Sequence, residues 1–274
     1  MARFDLVTAG EAYEDFVFAR LPRLPRTGEE LKTPAFARTP GGGAIISAVA
    51  AARLGLRCRA IVAVDVEAAR RLARERVSVV NVKKPGEPMA ITVALSMPRD
   101  RAFVTFDGVN DRVEPRLIRE AARASARHVH FTLQPGRCAR WLPVVAALRR
   151  AGTTTSWDFG WSERLARDRD LERLAAAADL LFLNGAERRL YRGIEGRTTV
   201  VKLGARGARL FEDGAARGPR IAAPRVRAVD TTGAGDVFDG AFLAAFLRGR
   251  PLRECARAAN AAAAGSVRGL GGLA

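Results

Sequence analysis

Short apolar runs that stop at glycine or a turn residue take turns along this chain with longer stretches whose small and apolar residues recur at helical spacing. That alternation constrains the fold more than any other feature. FDLVTAG at 4–10 reads as a buried strand, GAIISAVAAARLGL as a helix that stops at Gly55, and RAIVAVD as a second strand. Downstream, HVHFTL predicts a strand, RWLPVVAALRRAG a helix closed by Gly152, TTTSWDFG a strand and DLERLAAAA a helix. DLLFLNG is a strand followed at once by a helix beginning near Ala186, and TTVVKLG with GARLFED makes a strand pair around Gly204 to Gly207. This order predicts a three-layer α/β fold, a mostly parallel sheet flanked by helices on both faces. Ligands of such sheets bind outside the carboxyl ends of the strands.

Two stretches break the alternation. Residues 13–38 and 89–106 show period-two patterning interrupted by proline or Asp-Arg turn chemistry, and read as strand pairs without crossover helices. A small β lid attached to the main sheet accounts for both, and a lid closes a site from water. No internal repeat or low-complexity linker divides the chain, so residues 1–274 read as a single domain whose lid strands lie within 13–38 and 89–106. At 274 residues and 48% hydrophobic, the chain has material for a large core.

Composition excludes several classes. No window reaches the length of a membrane span, and the N-terminus opens on a charged, strand-like run rather than a signal peptide. Cys58, Cys138 and Cys255 are odd in number and form no CxxC pair, which argues for a reducing, cytoplasmic setting without disulfides or a zinc site. The formal charge of +17 raises nucleic acid as a partner. The arginines are scattered through helical stretches beside Glu and Asp, as on a solvated helix face, so no nucleic-acid partner is expected. His128 and His130 face one side of a strand with no third ligand nearby, and read as buried histidines rather than a metal pair. The DFG triplet at 158–160 lacks the other protein-kinase motifs and is read as coincidence. GGGAII follows Pro40 and a polar loop rather than a strand, so it is not a dinucleotide fingerprint.

The most informative local stretch is DTTGAGDVFDGAF, Asp230 to Phe242, which runs from a glycine-rich turn into an apolar helix. The first amides of a helix have no intrahelical partner, and with the macrodipole they hold an anion. Amides of Gly233, Ala234 and Gly235 are placed to meet charge on a moving phosphoryl group, while Asp236 takes a proton from a hydroxyl. An aspartate in a first helical turn also serves helix electrostatics alone, and the dipole would keep it ionised near neutral pH.

DTTGAGDVFDGAF resembles the C-terminal signature of PfkB-type carbohydrate kinases of the ribokinase-like superfamily, and GGGAIISAVAAARLG is similar to that family's N-terminal glycine-rich signature. The resemblance runs in order from TAGEAYED to CARAANAAAAGSV and implies an ATP-dependent kinase using Mg²⁺. It implies that Asp15 in GEAYED binds acceptor hydroxyls and that Gly41 and Gly42 let the acceptor lie against bare backbone. Asn184 and Glu187 match the N-x-x-E motif that organises Mg²⁺ and phosphate, often through water; the same spacing also makes a capping box. Gly204 and Gly207 fall where the nucleotide loop lies, Asn260 near the adenine, and Thr231 within the nucleotide-binding signature.

One position departs from the pattern. The family places an asparagine on the acceptor where this chain has Ile46, which cannot hydrogen-bond a hydroxyl. The expected activity is transfer of the ATP γ-phosphoryl group to a hydroxyl of a sugar or sugar-like molecule. A nucleoside kinase of the same superfamily and a ligand-binding relative without turnover are the alternatives. In relatives the lid edges often pair between subunits, which makes a homodimer through the lid the expected assembly.

Overall fold

A computed structural model of the chain describes residues 4–97, 101–212, 215 and 218–274. In chain order the first half holds β1 (Phe4–Gly10), β2 (Tyr13–Ala19), β3 (Ala35–Gly41), α1 (Gly43–Arg53), β4 (Cys58–Val62), α2 (Val66–Arg74), β5 (Val77–Asn81), β6 (Ile91–Ser96), β7 (Arg101–Phe106), α3 (Asn110–Ala121) and β8 (Ala126–Thr132). There follow α4 (Leu142–Arg150), β9 (Thr154–Asp158), α5 (Leu171–Ala177), β10 (Leu180–Asn184), α6 (Gly185–Leu190), β11 (Thr198–Lys202), β12 (Ala208–Glu212), β13 (Arg220–Ile221), α7 (Ala234–Phe246) and α8 (Leu252–Ser266).

Nine strands form one sheet in the order β13-β12-β11-β10-β9-β8-β1-β4-β5. It is parallel from β5 to β11 and antiparallel at the β12–β13 edge. Helices cover both faces, as the alternation predicts. The strand interiors show why: in β10, Leu180 and Phe182 enter the core on one side while Leu181 and Leu183 enter the core on the other. Period-two patterning with both faces apolar demands a helical layer on each side. One layer is built from α1, α2, α7 and α8, the other from α3, α4 and α5. In the second, Trp157 stacks on Phe131 with centroids 4.5 Å apart and meets Trp141 edge-on at 5.3 Å.

The segments 13–38 and 89–106 supply a second, four-stranded sheet in the order β3-β2-β6-β7. Its hairpin pairs β2–β3 and β6–β7 are antiparallel, and β2 lies parallel to β6. The turn chemistry at 98–100 lies outside the described residues. Periodicity overlooked α2, β5 and α3. In α2 only Leu72 is buried, leaving almost no apolar stripe, and α3 carries Pro115 inside it. A side-chain cap nonetheless starts α2, where Asp65 accepts from the Ala68 amide at 2.7 Å.

The contact that sets up the site is between α1 and α7. A Cβ at Gly240 would stand 2.3 Å from the Ser47 carbonyl oxygen, so the two backbones approach as closely as glycine permits. Ser47 Oγ donates to the Asp236 carbonyl at 3.0 Å, pinning the start of α7 to α1. Gly265 in α8 is the control: it is exposed, with open space where a Cβ would go. Gly240→Ala should therefore lower unfolding free energy by about 1–3 kcal/mol in urea titration. Gly265→Ala should raise it by about 0.4–1 kcal/mol, through reduced freedom of the unfolded chain and better helix propensity.

Candidate active site

A cavity of about 760 Å³ opens at the carboxyl ends of β1, β8, β9, β10 and β11, roofed partly by β7 and floored by the first turns of α1 and α7. This is where a parallel sheet leaves a crevice. At the head of α7, Gly233 adopts a left-handed conformation (φ 72°) and no side chain caps the helix. The Ala234 amide turns back to Thr231 O at 3.3 Å, a long bond, so Gly233 and Gly235 carry more of the free donor capacity than the sequence alone implies. Gly233, Ala234, Gly235 and Asp236 all line the cavity.

Asp236 projects toward the start of α1, where a Cβ on Gly43 would come within 2.9 Å of its Oδ1. Burial pushes its pKa up to about 6; the Asp158 charge adds to this, and Lys202 and Arg101 oppose it. Burial thus outweighs the helix dipole, yet the carboxylate is still ionised at neutral pH. Asp15 on β2 is buried, and its carboxylate occupies the space a side chain at Gly41 would need, with Oδ2 only 1.8 Å from a Cβ built there. Its pKa is pushed up to about 7, by burial first and then by the charges of Asp236 and Asp230. Gly42 begins α1 at φ 93°, with the Glu11 carbonyl 2.5 Å from any Cβ. Asp15, Gly41 and Gly42 thus lie near Asp236 but not among the residues that line the cavity, where Glu11 and Gly43 stand on that side.

Asn184 and Glu187 sit at the β10–α6 junction and form a complete capping box. Asn184 Oδ1 accepts from the amides of Ala186 and Glu187 at 2.8 and 2.9 Å, and Glu187 accepts from the Asn184 amide at 2.7 Å. Both also line the cavity. Burial and the neighbouring Asp158 charge push Glu187 up to about 7. At the far end of the cavity lie Gly204, Gly207 and Asn260. Gly207 is required by its backbone, at φ 90° with Ile221 O 2.0 Å from a Cβ. Asn260 is buried and donates to the carbonyls of Ile221 and Ala222 at 3.0 and 3.3 Å, so it braces that wall rather than lying on a helix surface. Thr231 lines the cavity and accepts a hydrogen bond from Arg101 of β7, which ties the small sheet to the motif.

Ile46 does not line the cavity. It is buried, and a Cβ at either Gly233 or Gly272 would collide with its Cδ1 at 2.8 and 2.3 Å. It supports the turn from behind. His128 and His130 are buried and hydrogen-bonded to Thr154 and Ser156, and neither joins a metal-capable group among the described residues.

Sequence reasoning missed one cluster. Lys202 Nζ donates to Asp158 Oδ2 at 2.7 Å and to Asp239 Oδ2 at 2.8 Å. Burial works against the lysine's charge, but Asp158, Asp239, Asp236 and Glu187 hold its pKa well above the usual range. Asp158 belongs to the DFG triplet set aside as coincidence, Lys202 ends β11, and Asp239 lies one helical turn beyond Asp236. The usable signal was position: Asp158 and Lys202 are both at carboxyl ends of strands, where ligands bind. Carboxylate oxygens of Asp158, Asp236 and Asp239 lie within 4.8 Å of one another, a donor set suited to a hard cation. Lys202 already bonds two of the three, so a metal seated directly between Asp158 and Asp239 does not fit. The oxygen donors facing the cavity, Asp236, Glu187 and Asn184, fit magnesium held through water.

Among the described residues, no helix is long and apolar enough to cross a membrane. The chain is 31% identical to an ATP-dependent ribose-1-phosphate kinase of Halopiger xanaduensis, over 94% of this chain and 90% of that protein. A nucleoside kinase of Methanothermobacter thermautotrophicus is 29% identical over 94% of this chain and 88% of its own length. The fold is shared with Arabidopsis thaliana ribokinase, solved with ribose and ATP, at a TM-score of 0.74 and 23% identity over 99% of this chain and 95% of that one. The sequence profile of the pfkB family carbohydrate kinases matches residues 4–273, and with the cavity at its strand ends this chain belongs to that family.

Proposed function

We propose that the protein is an ATP-dependent kinase that transfers the γ-phosphoryl group to a hydroxyl of a neutral sugar or sugar-like acceptor. The observation that carries this is the meeting of Asp236 and the uncapped start of α7 in one cavity, with Asp15 near enough beside it for the Asp236 charge to raise its pKa. Asp236 takes the proton of the attacking hydroxyl, which leaves the acceptor oxygen free to bond phosphorus as the bond to the ADP leaving oxygen breaks. Gly233 and Gly235 amides meet the charge on the moving group. Asp15 accepts hydrogen bonds from acceptor hydroxyls, and Gly41 and Gly42 allow backbone approach. The nucleotide lies toward Gly204, Gly207, Thr231 and Asn260. Asn184 and Glu187 would hold magnesium, which would supply positive charge to neutralise the phosphates.

A nucleoside acceptor is the second reading. It is supported by the nucleoside kinase relative and by Ile46, which turns away from the cavity and offers the acceptor no hydrogen bond. The carboxylates Glu11 and Asp15 on the acceptor side favour neutral hydroxyl compounds over phosphorylated ones, because an anion there would meet like charge.

The small sheet is proposed as a lid carrying Asp15 and Arg101 on the face toward the cavity. Its outer face is apolar: register puts Phe16, Phe18, Phe36, Val93, Val104 and Phe106 on one side, with Phe36, Val104 and Phe106 more than half exposed. Exposed apolar side chains gathered on one face suit an association surface, and a second copy presenting the same face would cover it. This supports a homodimer through the sheet.

Purified protein with Mg-ATP should phosphorylate at least one member of a panel of ribose, fructose, adenosine, inosine and cytidine; no product from any of them contradicts the proposal. Asp236→Asn should cut kcat by at least about 100-fold, with ATP still bound. Because Asp236 must be charged to act and Glu187 must be charged to hold magnesium, kcat/KM should fall as pH drops below about 7 and more steeply through about 6. Light scattering should report a dimer for the native chain, and Val104→Glu with Phe106→Glu should give a monomer.

A further inference from the structure

Lys202 is unexplained by packing. Its side chain is 12% exposed, it ends a strand at the cavity wall, and it is clasped by two carboxylates. A buried ion pair adds little net stability over apolar packing, so the fold alone gives no reason for an ammonium here. The geometry around Nζ does. Two of its three N–H groups are spent on Asp158 and Asp239, while Gly235 O stands at 3.5 Å, the outer limit of a hydrogen bond. The third points at the turn that opens α7, in a bond long enough to be exchanged for a ligand oxygen. Gly235 makes room for it: a Cβ there would crowd Nζ at 3.3 Å. The ammonium therefore stands where a side chain would otherwise close the wall between β11 and the Gly233–Gly235 turn.

Resting on the kinase reading of this same cavity, we infer that Lys202 is a direct contact of the nucleotide's γ-phosphate, with Asp158 and Asp239 holding its ammonium against the Gly235 turn. Lys202 keeps its proton throughout and acts by charge and hydrogen bonding, so the transfer itself still forms one O–P bond and breaks one. The two carboxylates are positioning residues: they fix the direction of Nζ and keep the stem extended across the wall. Asp239 is fully buried, its Oδ2 accepts from the lysine, and its side chain also meets that of Asp158, so the two aspartates hold the ammonium as a pair.

The γ-phosphate distinguishes ATP from ADP, which supplies a test independent of turnover. Calorimetric titration of ATP and of ADP, both with magnesium, should be run on the native protein and on Lys202→Met with Asp158→Asn. That double change removes one charge of each sign, and Asp239, whose pKa burial pushes well above the usual carboxylate range, leaves no orphaned charge behind. The expected result is ATP binding weaker by about tenfold or more, with ADP binding within about twofold. At saturating substrates, kcat should fall by about 100-fold while the acceptor KM stays within about threefold. A thermal melt establishes folding. Should the double variant not fold, Lys202→Cys alkylated with 2-bromoethylamine rebuilds an ammonium of similar reach, and Cys58, Cys138 and Cys255 are buried away from the reagent. Alkylation should restore the preference for ATP over ADP. An unchanged ATP-to-ADP affinity ratio in the folded double variant, or no gain on alkylation, overturns the inference. If the native protein phosphorylates nothing, the kinase reading fails separately, and the affinity ratio still decides the role of Lys202.

Discussion

Everything in the site depends on how closely α1 and α7 approach. Gly240 presses on the Ser47 carbonyl, and Ser47 Oγ holds the Asp236 carbonyl. Two helix N-termini therefore open side by side at the carboxyl edge of one parallel sheet. Each brings unpaired amides and a positive dipole end, and each begins at a glycine with positive φ, Gly42 for α1 and Gly233 for α7. One such terminus is a common structural feature. Two of them flanking a carboxylate make a place where an anion and an alcohol can be held within reach of each other, which phosphoryl transfer requires.

The cavity is rich in acid, and its electrostatics follow from that. Asp15, Glu187 and Asp236 are all pushed upward by burial, to about 7, 7 and 6. Lys202 answers part of this charge, and the remainder is available to a divalent cation and to the donors of an acceptor. Glu11 stands at one end of the cavity, and Gly204, Gly207 and the braced Asn260 wall the other.

Much of this was legible in the sequence because it is local. Strand and helix periods fix the layers, and DTTGAGDVFDGAF contains its own turn, donors and carboxylate within one segment. Asn184 and Glu187 are three residues apart, so their capping box needs nothing from elsewhere. What stayed hidden depends on distance along the chain. Lys202 reaches Asp158 across 44 positions and Asp239 across 37, a meeting produced by the order β9-β10-β11 and by the packing of α7, which no window of sequence contains. Ile46 was legible as a departure but not as a prop behind Gly233, because that contact is made between α1 and the turn before α7. The helix dipole suggested an easily ionised Asp236; burial, which a sequence does not display, moved it the other way. In α2 and α3, thin apolar stripes and Pro115 concealed helices that caps and tertiary contacts sustain.

The central claim is that the transferred group sits on the first amides of α7 while Asp236 faces the acceptor oxygen. A crystal structure with ADP, magnesium, aluminium fluoride and the acceptor tests it most directly. The account predicts the fluoride group within about 3 Å of the Gly233 or Gly235 amide and the acceptor hydroxyl within about 3 Å of an Asp236 oxygen. A fluoride group bound away from that turn, or an acceptor hydroxyl aimed at another base, would contradict it.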